Sequence, residues 1–133
     1  MKRLSVVFPA IVLGALALAG PAGLSPVTQA CAADASLSYS EDIAPIFKGW
    51  CVSCHQAGGQ GFEASGLDLT TYAGVMKGTK YGPMVIAGKP DESNLVRMVN
   101  GDAKLRMPFQ HKPLPNCLRQ NIWSWIFEGA KDN

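Results

Sequence analysis

The chain has 133 residues, which supports one domain rather than two. Its 12 basic and 10 acidic residues give a formal net charge of +2 at pH 7, too balanced to argue for a nucleic-acid or membrane-surface partner. In chain order, Lys2 and Arg3 make a short positive start. Residues 6–20 are almost wholly apolar, broken by Pro9, and small residues follow around Ala30-Cys31-Ala32-Ala33. That order is the pattern of a secretory signal, with cleavage expected near Ala32 or Ala33. The expected division is therefore 1–33 as signal and 34–133 as the domain. The apolar run is short of the ~20 residues a membrane span needs. Losing Lys2 and Arg3 leaves ten basic residues against ten acidic, so the mature charge is close to zero.

Ser40 can cap a first helix, with Glu41 and Asp42 suited to its positive end. Ile43, Ile46 and Phe47 fall on one face, and Pro45 is tolerable only in the first turn. Residues 57–65 read as a loop, with Gly58, Gly59 and Gly61 and few apolar groups. Thr70 or Thr71 can cap a short helix that Gly78 stops. Residues 81–88 form a second loop. Residues 90–99 form a third helix, opened by Pro90-Asp91-Glu92-Ser93 and ended by Asn100-Gly101. Residues 102–113 are irregular. The last helix begins near Pro115 and carries Leu118, Ile122, Trp125 and Ile126 on one stripe, ending at Gly129. No stretch reads as a strand, so the expected class is all-α.

Cys51-Val52-Ser53-Cys54-His55 carries the chemistry. Covalent haem attachment needs two thiols that reach two vinyl groups on one side of a porphyrin. Two intervening residues let one turn present both, and the next residue aims an imidazole at the iron. Thioethers from Cys51 and Cys54 then hold one haem c, and His55 is its proximal ligand. A dithiol redox pair would follow a strand, and none is visible. A zinc site would need two further ligands; Cys117 and His111 are the candidates, without a second Cys-x-x-Cys pair. Cys117 lies outside the motif. It can be buried and inert, or pair with Cys31 if that residue survives processing. Cys31 could alternatively carry a lipid, but Thr28-Gln29-Ala30 is a poor context for it, so lipid anchoring is not expected.

The mature region resembles the small single-haem c-type cytochromes of bacteria. Residues 39–47, the Cys51–His55 motif, residues 65–69 and 90–95, Arg106-Met107-Pro108 and residues 125–130 are similar to blocks of the planctomycete-type cytochrome c domain. The resemblance implies a cytochrome c fold of about four helices around the haem, with N- and C-terminal helices crossing beside it. It implies electron transfer and a methionine as second axial ligand; Met107, before Pro108, sits where that motif falls. A thioether suits both oxidation states of iron. Met84 and His111 are the rival ligands, whereas Met76 and Met98 lie in predicted helices and read as core. Cys117 departs from the family pattern, which has a polar or acidic residue there.

Phe47 packed against Trp125 and Ile126 would make the helix crossing, while Trp123 falls off the stripe and faces the haem edge or a partner. Leu67, Leu69, Val85 and Leu95 are expected to line the haem pocket. Lys104, Arg106, His111 and Lys112 surround Met107 as a solvated loop, a docking rim for an acidic partner, or a pair for the haem propionates. With both axial positions filled, the expected role is an electron carrier and not an enzyme. It would be periplasmic, either a shuttle or the electron-accepting subunit of a dehydrogenase or terminal oxidase. A haem sensor or small peroxidase with an open sixth position is the alternative.

Overall fold

A computed structural model describes residues 36–133 of the chain; the expected signal segment and Cys31 lie outside the described residues. Among these the architecture is all-α. A π-helical turn, Tyr39–Ile43, leads into α1 (Ala44–Trp50). Then come α2 (Gln60–Ser65), α3 (Tyr72–Lys77), a 3-10 turn at Pro90–Glu92, α4 (Asn94–Asn100) and α5 (Asn116–Phe127). The described residues contain no strand beyond an isolated bridge between Thr79 and Gly82.

The first helix starts two residues earlier than Ser40 would place it. Ser38 is the cap, and its hydroxyl accepts from the Glu41 N–H at 3.3 Å. The wide turn before α1 has a local reason: Pro45, in the first turn of α1, has no N–H to bond back along the helix. The last helix matches expectation, with Pro115 at its cap position and Leu118, Ile122, Trp125 and Ile126 buried. α3 also matches, with the Thr71 hydroxyl accepting from Gly74 N–H at 3.1 Å and Gly78 beyond its end. The expected helix over 90–99 is two pieces, because Ser93 is extended at φ −80°, ψ 118°.

An aromatic cluster fills the crossing of the terminal helices. Phe47 meets Trp125 edge-on, with ring centroids 6.5 Å apart, and Tyr39 lies 5.5 Å from the same indole. Tyr72 closes the group at 5.1 Å from Tyr39. Such pairs add about 0.5–1.5 kcal/mol each beyond area burial. Two polar handles in the cluster are satisfied by the chain's tail: Trp125 Nε1 donates to Lys131 O at 2.9 Å, and Tyr72 Oη to Ala130 O at 2.8 Å. The tail also stitches the fold's two ends. The Asn133 main-chain oxygen accepts from Ser40 N at 3.0 Å and Ser38 Oγ at 2.7 Å, and Asn133 Oδ1 accepts from Tyr39 N at 2.9 Å.

Leu67, Leu69, Val85 and Leu95, expected around the pocket, are all buried in the core. Trp123 is half-buried on the outer side of α5, stacked on Phe127 at 5.2 Å, with its indole N–H on Asp91 Oδ1 at 2.9 Å. Cys117 is disulfide-bonded, which removes it from any zinc ligand set. Cys51 and Cys54 are both free thiols. No helix among the described residues is long and apolar enough to cross a membrane.

Candidate functional site

The Cys51–His55 segment is a turn grown off the end of α1. Cys51 N and Val52 N both donate to Phe47 O at 2.9 Å, which holds the chain in a helical sense past Trp50. Cys54 N and His55 N then both donate to Cys51 O, at 3.1 and 3.0 Å. One carbonyl thus gathers the second thiol and the imidazole beside the first thiol. The turn is pinned from outside as well: Phe62 N donates to Cys54 O at 3.0 Å, and Leu69 N to His55 O at 2.9 Å. Gly59 has to be glycine, since a Cβ there would run into the Cys54 carbonyl.

The three side chains differ in surroundings. Cys51 is half-buried and packs against the core, and burial, then the neighbouring Cys54, pushes its thiol up to about 12. Cys54 is exposed. Burial holds the His55 imidazole below the usual histidine range, and the Leu67 main chain, as an acceptor, offsets part of that. Of the two ring nitrogens, only Nδ1 is buried without a hydrogen-bond partner. Burial thus favours the neutral form of the ring and keeps Nδ1 inside the protein.

Met107 lies on the long segment between α4 and α5. It is half-buried, its N–H donates to Met98 O at 3.0 Å, and the Met107–Pro108 peptide is cis. Arg106 beside it donates from Nη2 to His111 O at 3.2 Å. No hydrogen bond links Met107 to the Cys51–His55 turn, so the structure joins three of the four expected site residues by local bonds and leaves Met107 on its own loop. Of its rivals, Met84 is buried in the core with its carbonyl taken by Leu95 N at 2.9 Å, and His111 is exposed. Met76 and Met98 pack against the core, as expected.

The residues fit a covalently held haem. Both thiols are free, one turn presents them with the imidazole, and with Nδ1 buried it is Nε2 that would be left to hold iron. A bare metal ion fits less well, because no three His, Cys, Asp or Glu side chains are grouped for one among the described residues. Sequence reading missed α2, whose backbone backs this turn; the visible signal was Gly66, which stops that helix in the left-handed region at φ 76°.

No curated protein and no solved structure matches the chain. Residues 51–109, which run from the first motif cysteine to just past Met107, match the family model described as Planctomycete cytochrome C. On that match and the all-helical fold, residues 51–109 are similar to the planctomycete-type cytochrome c domain, and the likeness supports haem-based electron transfer at that coarse level.

Proposed function

We propose that this protein is an exported electron carrier that holds a single haem c through Cys51 and Cys54, with His55 and Met107 as axial ligands. It works in the periplasm, as a shuttle or as the electron-accepting subunit of a dehydrogenase or terminal oxidase. The observation that carries the reading is the Cys51–His55 turn, where one carbonyl brings two free thiols and an imidazole onto the same stretch of chain. When bound, the iron supplies single-electron exchange between its ferrous and ferric states.

The chain's own residues do the rest. Cys51 and Cys54 anchor the group, and His55 offers Nε2 while its Nδ1 stays on the protein side. Leu67, Leu69, Val85 and Leu95 exclude water, which disfavours the more highly charged ferric state and so raises the potential. Met107, from the loop before α5, closes the second axial position. The exposed Leu105 and Phe109, among Lys104, Arg106 and Lys112, make the face that an acidic redox partner would meet.

Mass spectrometry of exported protein tests attachment: the chain carries the mass of one haem, and the bare polypeptide mass overturns the reading. Met107→Ala tests the axial pair. The variant loses the ferric sulfur-to-iron band, lowers the potential and binds carbon monoxide when reduced. An unchanged spectrum removes Met107 from the iron.

A further inference from the structure

We propose that Gly61 is a positioning residue for His55, a backbone wall that sets how the imidazole plane is turned about its Cβ–Cγ bond. A Cβ built on Gly61 would lie 2.7 Å from Cε1, 2.8 Å from Nε2 and 2.9 Å from Nδ1 of His55. All three distances are shorter than a real Cβ contact, and they spread along the ring from one nitrogen to the other. The imidazole therefore lies flat across the α2 backbone at this residue, with no room for a side chain between them.

Gly61 is not at a left-handed position, so its need for glycine comes from this close approach and not from its own backbone angle. Glycine inside a helix is less favourable than alanine, because it loses more backbone freedom on folding. Here it falls within α2, a helix of six residues that can least absorb that loss.

The wall is held in place independently of the ring. Phe62 N donates to Cys54 O at 3.0 Å and Glu63 N to Gly59 O at 2.9 Å, so the first turn of α2 is tied to the turn that carries His55. The Leu67 main chain lies by the ring as an acceptor, yet Nδ1 is buried and makes no hydrogen bond. Packing on Gly61 therefore adds to the orienting task that a hydrogen-bonded acceptor performs at other histidine ligands.

The inference rests on the reading of His55 as an iron ligand, and the test separates the two. Haem-loaded Gly61→Ala is compared with the parent and with Gly49→Ala, a helical glycine whose added Cβ meets nothing within 4 Å. Gly61→Ala changes the ferric electron paramagnetic resonance spectrum, shifts the midpoint potential and lets carbon monoxide bind the reduced protein; Gly49→Ala changes none of these. A loaded Gly61→Ala with the parent's resonance spectrum and potential overturns the proposal. If Gly61→Ala gives no loaded protein, the same change is made with His55→Gly and free imidazole is supplied. An untethered ring takes up the displacement, so recovered loading supports the proposal and failure to recover overturns it. A parent that carries no haem, seen by mass, sinks the reading of His55 instead.

Discussion

Tyr39 is buried among Phe47, Tyr72 and Trp125, and its phenol is pushed up to about 12, first by burial and then by the negative charge of Asp132 and the nearby Tyr72 and Asp68. An unfolded tyrosine ionises near 10. Between the two values the unfolded chain gives up a proton that the folded chain keeps. Stability tied to Tyr39 is therefore whole below about 10 and drains away as the pH climbs towards 12. The hydroxyl makes no hydrogen bond among the described residues, so Tyr39→Phe should be nearly neutral at pH 7. Urea midpoints of parent and variant from pH 8 to 12 check this. The parent should fall more steeply above 10, and parallel curves would show that the Tyr39 proton is irrelevant to folding. The site residues obey the same rule of surroundings over identity: Cys51 packs on the core, and burial pushes its thiol up, whereas Cys54, three positions on, is exposed.

At the level of elements, Ser93 shows how a single hydroxyl sets a helix boundary. It is fully buried, accepts from Ile86 N at 2.9 Å and donates to Lys89 O at 2.8 Å, so it ties the 86–89 turn to the start of α4. Ser93→Ala should cost about 1–3 kcal/mol, since the Ile86 N–H is left buried without a partner. A denaturant midpoint within error of the parent would show that water replaces the hydroxyl. This bond also explains why the 90–99 helix divides where propensity saw it continuous: Ser93 spends its side chain on a distant turn and its backbone stays extended. Elements decided by local chemistry were legible in the sequence. Thr71 and Gly78 bound α3, the Leu118–Ile126 stripe gives α5, and the spacing within Cys51–His55 reports its own turn. What depends on tertiary contact was not. The α2 helix hides in a glycine-rich run of poor propensity, because its stability comes from bonds to Cys54 and its glycines from the need to approach the site. Ser38 displaced Ser40 as cap for a similar reason, since the Asn133 tail organises that end from the far end of the chain. Met107 could be nominated from its motif, but where its loop lies relative to the Cys51–His55 turn is a long-range property that spacing does not encode.

Over the whole molecule, residues 34–133 hold ten basic and ten acidic residues and so have almost no net field, and any steering must come from how these charges are arranged. Lys89 and Glu92 form an ion pair at 3.2 Å, and Asp91 is taken by the Trp123 indole, so the polar groups near the Trp123–Phe127 stack are largely satisfied among themselves. Lys104 and Lys112 are exposed on the Met107 loop, beside the apolar Leu105 and Phe109. Uncompensated positive charge beside apolar surface suits a brief encounter: the cations speed approach, and the apolar groups hold the pair long enough for an electron to cross. Reversing Lys104 and Lys112 to Glu should slow electron exchange with hexacyanoferrate, an anion, by roughly tenfold at low ionic strength, within the range of electrostatic steering. Exchange with hexaammineruthenium, a cation, should quicken. Both differences should fade as the Debye length shrinks from about 30 Å at 0.01 M to about 10 Å at 0.1 M salt. Stopped-flow traces with the two reagents over that range decide the matter. If anion and cation respond alike to the reversal, electrons leave by another face, and the satisfied Trp123–Phe127 side becomes the one to probe.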